Sequence, residues 1–526
     1  MPPQQFGSSD PERRDVELRL SPDELPPAQR PWDQPGHDFD ATAAAHLDHA
    51  KNALRRTRPD LSAGTPTWRW QKWILLLAFL VFGAAAIFDP HYAIFVLAAV
   101  LVFPFFCVVA LRAAALWFTA FPSAKQTATV IFETDANLPR YTLLVPLYDE
   151  AEIAAELVGA LSAIDYPVDK LQILLILEEL DIRTRRAVGA MQLPIQMSVV
   201  VVPDGSPRTK PRALNYALCR ATGDLVVIYD AEDVPEPNQL RRAASLLMAN
   251  PKLGCVQARL NVLNDSETWL TRQFAIEYTV LFDCILPALE RLTLPVPLGG
   301  TSNHFSKAAL EAVGGWDPFN VTEDADLGIR LARTDWMVQV VNSTTWEEAP
   351  ATFRSWRNQR TRWLKGWMQT YLVHMRKPLK TARDLGWLRF FGLQILMGGL
   401  ILSALVHPWF YVVAAMEAVH GPLRSLDHQG LSDAVWVLGI VNLILGYATG
   451  VALGWVAVAG RGRQRLAWWA ILMPIYWLLI SFAAYRALYQ LVTTPYSWEK
   501  TQHRSRSDFA TRPIEESGEE SAADLA

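Results

Sequence analysis

Two apolar runs separated by one turn constrain this chain more than anything else in it. Trp73–Phe88 supplies sixteen uncharged residues, Asp89-Pro90-His91 interrupts, and Tyr92–Leu111 supplies twenty more. An α-helix rises ~1.5 Å per residue, so runs of this length suit a ~30 Å hydrocarbon layer. Further blocks follow at Trp387–Val406, Trp409–Val419, Ala434–Ala459 and Leu466–Leu491, which predict about four more crossings over 386–494. His407-Pro408 either turns the chain between the first two of these or kinks one helix. The bundle is not the whole molecule. With 526 residues, 51% hydrophobic and 19% charged, the chain is too apolar for an ordinary soluble protein and too charged for a pure transporter. A water-soluble domain of about 250 residues carried by membrane helices is expected.

The flanks set an orientation. Arg55, Arg56, Arg58, Arg69 and Lys72 precede the first run and the turn has no Lys or Arg. The positive-inside bias therefore puts both ends of the 68–120 hairpin in the cytoplasm. At the other end the signals conflict. Arg461, Arg463 and Arg465 argue for a cytoplasmic loop before the last block, whereas four crossings, which return Arg486 and the tail to the cytoplasm, put that loop outside. Residues 1–67, with eight prolines by Pro35, read as mostly disordered, and Asp40–Arg56 as one amphipathic helix in a solvated linker. No signal peptide is legible in them. Net charge is −4, so no global basic field recruits nucleic acid. Cys107, Cys219, Cys255 and Cys284 lack metal-ligand spacing.

Between about 121 and 385 the texture changes. Tyr141–Leu147, Leu171–Leu177, Met197–Val202 and Leu225–Tyr229 have the composition of buried parallel strands, with Glu150–Ala163 and Pro211–Ala221 as intervening helices. Ligands of such a β-α-β domain sit at the carboxyl ends of its strands. The chemistry-bearing residues fall there. Strand 1 runs into Tyr148-Asp149-Glu150 and strand 2 into Glu178-Glu179, candidates for a ribose or a base N–H; helix capping is the alternative, and suits Asp149. Lys210 opens a helix, where phosphate binds readily. Asp230, Glu232 and Asp233 follow strand 4, and hard oxygen ligands at a strand end suit Mg²⁺ or Mn²⁺ bridging a diphosphate. Thr322 caps a helix whose first turn carries Glu323 and Asp324, a carboxylate placed to accept a proton from a hydroxyl. Trp356-Arg357-Asn358-Gln359-Arg360-Thr361-Arg362-Trp363 combines guanidiniums that fit phosphate with indoles that stack on sugars.

Asp230/Glu232, Thr322-Glu323-Asp324 and Gln359-Arg360-Thr361-Arg362-Trp363 resemble the DxD, TED and QxxRW series of membrane-embedded, processive family 2 glycosyltransferases, the group of cellulose synthase and related bacterial polysaccharide synthases. The resemblance covers about residues 70 to 503. It implies a GT-A α/β domain (Rossmann-like, cytosolic) fused to a helical transmembrane bundle in a bacterial-type inner membrane. It further implies an inverting hexosyl transfer from a nucleotide-sugar, UDP-glucose or similar, that elongates a β-linked polysaccharide. By the same resemblance Asp324 is the base, and Asp230 with Glu232 or Asp233 holds Mg²⁺ or Mn²⁺. Tyr148, Glu150, Glu178, Glu179, Lys210, Gln359, Arg360 and Arg362 line the donor site, with Glu178 and Glu179 standing where the family has aspartates. Thr322, Glu323 and Trp363 lie on the acceptor side. The segment Pro495–His503, with Trp498, Lys500 and Thr501, sits where cellulose synthase has a gating loop, which would give Lys500 and Thr501 contacts to phosphate; an interfacial anchor formed by Tyr496 and Trp498 is the alternative. Two other readings compete: transfer of one sugar to polyprenyl phosphate or another lipid, and a catalytically silent membrane scaffold.

Overall fold

The computed structural model describes residues 41–122, 133–420 and 430–496. Its amino-terminal helix α1 (Ala41–Thr57) packs on the α/β domain, burying Ala50 and Leu54, and the Asn215 amide donates to the Ala50 carbonyl at 3.0 Å. Residues 41–67 are therefore folded onto the domain and are not a solvated linker. Past α1, four backbone carbonyls between Pro59 and Thr65 accept from the Arg376 guanidinium.

The hairpin of long helices is formed by α2 (Arg69–Phe88) and α3 (Pro90–Ala120). The turn holds because Asp89 accepts from the Tyr92 N–H at 3.0 Å and Pro90 occupies the first helical position, where no N–H is needed. Then comes an eight-stranded sheet in the order β3-β2-β1-β4-β7-β6-β8-β5. Its strands are β1 (Tyr141–Leu147), β2 (Leu171–Glu178), β3 (Met197–Val202), β4 (Leu225–Ile228), β5 (Val234–Pro235), β6 (Leu253–Val262), β7 (Asn303–Ser306) and β8 (Met337–Glu347). The first four are parallel and β7 runs against β4 and β6. Buried strands read as continuous Val/Ile/Leu runs because both faces are covered, by the two largest clusters of the core. In-register pairing of Val145 with Leu175, and of Leu144 with Ile228, brings the carboxyl ends of β1, β2 and β4 to one edge.

Helices α4 (Lys210–Leu218), α5 (Trp269–Thr279), α6 (Glu323–Arg333) and α7 (Phe353–His374) surround that edge. After them come three apolar helices of membrane-spanning length among the described residues, not four. The first, α8, joins Trp387–Leu393, a π turn at Gln394–Gly398 and Gly399–His420, so Pro408 lies inside one helix and turns nothing. Proline is tolerated in apolar helices whose neighbours satisfy the freed carbonyl. The second is α9 (Leu431–Gly460) and the third α10 (Met473–Thr493).

Helices α2, α3, α8 and α9 each bring one end to the domain. Gln71 donates to the Leu372 carbonyl, Arg291 to that of Phe121 and Arg389 to that of Thr293, and Arg461 pairs with Asp283 at 2.5 Å. Far from those ends, Phe105 meets Phe410 and Asn442 donates to the Val102 carbonyl. Helix α10 differs. The chain just before it accepts from Gln273 at the Trp469 carbonyl (2.8 Å), and just after it Lys365 reaches the Thr494 carbonyl (3.4 Å). Between those anchors it runs parallel to α7, with Phe482 beside Phe353. Both ends of α10 thus rest on the domain.

Candidate active site

Tyr148, Glu178, Glu179 and Asp230 all stand at the strand edge, held in different ways. Tyr148 is exposed beside Arg208. Asp149 takes φ +54°, its N–H donating to Asp181, and no helix begins there; the next one starts at Ala154, so Asp149 caps nothing. Glu150 is buried and its N–H donates to the Thr184 hydroxyl. Glu178 is buried in an ion pair with the fully buried Arg212 (2.5 Å), which removes it from the open edge. Glu179 is half-buried and accepts from the Asp204 N–H.

The acidic cluster after β4 divides. Asp233 is fully buried, where one carboxylate oxygen accepts from the Asp230 N–H and from the Thr301 hydroxyl. Its side chain braces the turn, which leaves Asp230 and Glu232 as the half-buried carboxylates facing the edge. Lys210, at the first turn of α4, pairs with Asp230 at 2.5 Å and donates to the Gly300 carbonyl at 2.8 Å. Burial disfavours the ammonium, but the Asp230 and Glu323 carboxylates outweigh that and hold its pKa above the ordinary value.

On α6, the Thr322 side chain does not cap its helix; it packs against Gly366 of α7, where a Cβ would come within 2.4 Å of its hydroxyl. Gly366 is what lets the two helices approach. Asp324 uses one oxygen on its neighbour's N–H (Ala325, 2.7 Å) and turns the other toward Gly300. Burial raises the Asp324 pKa, opposed by Lys210 and Arg362. Burial and Asp324 push Glu323 up to about 7, opposed by Lys210 and Arg362. Arg362 therefore shares the field of these carboxylates. Arg360, two residues earlier, has a different set of partners. It is buried against Glu277 (2.5 Å) with its charge over the Phe274 and Trp363 rings. Gln359 is buried on the same helix, and Trp363 is half-buried. Trp498, Lys500 and Thr501 lie outside the described residues.

Residues 139–366 match the family model described as "Glycosyltransferase like family 2". This region is a family 2 glycosyltransferase domain. The chain is 28% identical over 319 residues to the probable glycosyltransferase YdaM of Bacillus subtilis, covering 58% of this chain and 72% of that protein. It is 30% identical over 267 residues to a beta-monoglucosyldiacylglycerol synthase of Synechocystis, covering 49% of this chain and 55% of that one. Against a glucomannan 4-beta-mannosyltransferase of Arabidopsis thaliana it is 28% identical over 239 residues, 44% of this chain and 45% of the other. The chain thus spans about half the length of the second and third of these relatives.

The mixed sheet is the GT-A fold of such a glycosyltransferase domain, and its donor set can be tested for a metal. Among the described residues no three His, Cys, Asp or Glu side chains converge closely enough to hold a cation unaided. One or two carboxylates plus substrate phosphates are the usual Mg²⁺ environment, and Asp230 with Glu232 fits that. Sequence reasoning missed Glu347, at the end of β8, whose pKa burial and the Glu232 carboxylate push up to about 8. It missed Glu277 and Tyr278 too, the latter stacked 18° from the Trp363 plane at 6.0 Å. Nothing in the local sequence marks these three; they come beside Glu232, Arg360 and Trp363 through β8 and α5, elements without a motif.

Proposed function

We propose that this protein is a membrane-embedded, inverting glycosyltransferase that takes a hexose from a nucleotide-sugar, UDP-glucose or similar, and adds it to a β-linked glycan. The observation that carries the reading is one convergence at the carboxyl edge of the parallel strands: Lys210 pairs with Asp230 at 2.5 Å, and Lys210 and Arg362 both act on the buried carboxyls of Glu323 and Asp324. Asp324, with its pKa raised and one oxygen uncommitted to Ala325, takes the proton from the acceptor hydroxyl. Lys210 and Arg362 stabilise the charge that develops on the departing nucleoside diphosphate. A Mg²⁺ or Mn²⁺ ion held by Asp230 and Glu232 would supply further charge neutralisation on the same phosphates. A single in-line displacement from the face opposite the leaving group inverts the anomeric centre.

Four helices, α2, α3, α8 and α9, cross the bilayer in this reading, and α10 lies along the cytoplasmic face. That arrangement removes the conflict in the sequence: Arg461–Arg465 and the chain after Thr494 are then on the same side as the catalytic domain, in keeping with the positive-inside bias. Parallel alignment of α10 with α7, and its two anchors on the domain, support it. A second reading, transfer to a lipid hydroxyl, is favoured by the likeness to a protein named as a glycolipid synthase.

The test is to reconstitute the full chain in lipid with Mg²⁺ or Mn²⁺ and a panel of UDP- and GDP-sugars. Nucleotide release with a polymeric product supports polymerisation, and an organic-soluble product supports the lipid acceptor. No release with any donor ends the enzyme reading. Cysteines at Gln464 and Asp433, probed with an impermeant thiol reagent, should label from opposite sides.

A further inference from the structure

Arg360 sits inside the basic stretch yet is turned away from the carboxylates, and its surroundings are elaborate for a packing residue. Both Glu277 oxygens hold its guanidinium, Nη1 at 3.0 Å and Nη2 at 2.5 Å. Glu277 Oε2 also accepts from the Tyr476 hydroxyl at 2.9 Å, and that hydroxyl accepts from Trp356 Nε1 at 3.0 Å. Trp356 lies one turn before Arg360 on the same face of α7, so the four side chains close a ring between α5, α7 and α10. The guanidinium carbon stands 4.6 Å from the centre of the Trp363 ring, whose plane is stacked with Tyr278.

A buried ion pair seldom adds net stability over apolar residues of the same volume, but it does fix geometry. Here the fixed object is Arg360, and what rests on Arg360 is the indole of Trp363. We propose that Glu277 and Tyr476 are positioning residues that hold the Trp363 ring, through Arg360, as the platform on which the acceptor sugar stacks. The apolar helix α10 thereby becomes part of the acceptor site without touching substrate. This inference rests on the glycosyltransferase reading, within which the family resemblance puts Trp363 on the acceptor side.

The variant Tyr476→Phe removes one hydroxyl and keeps the ring contacts with Trp269 and Trp356. The reconstituted full chain is titrated calorimetrically with a β-linked tetrasaccharide and, separately, with UDP and GDP plus Mg²⁺. Tyr476→Phe should weaken tetrasaccharide binding about tenfold, the cost of a displaced platform. Nucleotide affinity should move less than about twofold, and Tyr476→Phe should cost nothing further on a Trp363→Ala background. Glu277→Gln, which keeps one acceptor oxygen, should fall between Tyr476→Phe and Glu277→Ala. Equal loss of sugar and nucleotide binding, full additivity with Trp363→Ala, or no loss at all overturns the inference. An unsubstituted protein that binds nucleotide but no tetrasaccharide also overturns it and leaves the donor reading standing. Binding of neither is a failure of the enzyme reading itself.

Discussion

Asp324 and Asp326 stand two residues apart in the first turn of α6, and the molecule treats them oppositely. Asp326 is fully buried and fully compensated, with Arg330 Nε at 2.7 Å on one oxygen and His374 Nε2 at 3.0 Å on the other. Arg330 spends a further nitrogen on the carbonyls of Val313 and Gly315. Burial alone would raise the Asp326 pKa; Arg330 and His374 outweigh it and hold it below the ordinary value. Burial raises the Asp324 pKa, and a backbone N–H together with Lys210 and Arg362 only partly offsets it. A carboxylate completed by its neighbours stabilises the fold, and one left short of partners is available to a substrate. The same division recurs on α7, where Arg360 is neutralised by Glu277 and Arg362 shares the field of Glu323 and Asp324.

The sharpest way to break this contrast is to neutralise each aspartate in turn. Asp324→Asn should lower sugar transfer by about 10²–10⁴-fold, the range of a lost general base, with nucleotide affinity and thermal unfolding nearly unchanged. Normal turnover would remove the assigned base. Asp326→Ala should do the reverse, because it leaves Arg330 buried without its counter-charge. A loss of about 3–5 kcal/mol in unfolding free energy is expected, read from thermal or denaturant melts. An Asp326→Ala protein as stable as the parent would end the division into structural and functional carboxylates.

The arginines extend the test with a smaller effect. Arg362→Ala should reduce kcat/KM for the donor by about 10²-fold, the scale of one lost charge-stabilising donor. Arg360→Ala should leave nucleotide affinity close to normal while weakening acceptor binding and lowering the melting temperature. Equal loss of donor affinity in both variants would mean that the two guanidiniums act as a pair on the diphosphate.

What was legible beforehand follows the same line. Runs such as LQILLIL and MSVVVV announce buried strands, and the TED and QRTRW motifs mark their helices, because those signals are local. Pro408 leaves a turn and a kink both open, since a helix break is decided by neighbouring helices, not by the proline. Thr322, Asp149 and Asp233 have the right residue types for caps and ligands, yet whether an oxygen faces a helix end, Gly366 or Thr301 is set by contacts distant in the sequence. The ion pairs of Glu178 and Arg360 were invisible for that reason: their partners, Arg212 and Glu277, lie 34 and 83 residues away. Burial of α1 was hidden likewise, since an amphipathic helix looks alike in a linker and on a domain.

Acidification separates the two aspartates with the smallest effect. Asp324 must be ionised to accept a proton, and Glu323 beside it titrates at about 7. Transfer should fall as pH drops through the raised pKa of Asp324, above its ordinary 3.8, approaching tenfold per unit on the acid limb. Stability should not follow. A carboxyl whose folded pKa is raised favours the folded state when protonated, so Glu323 contributes stability at low pH that is lost as pH rises from its ordinary 4.5 through about 7. Asp326 has a depressed pKa, so its contribution is complete above its ordinary 3.8 and is lost only as pH falls through its lower folded value. On that limb, above pH 3.8, the protein should lose turnover while its melting temperature holds. Glu323→Gln should leave the activity limb nearly in place, because Glu323 is already neutral where Asp324 protonates. Activity and melting temperature declining together on that limb would show that Asp324 and Asp326 are not electrostatically distinct.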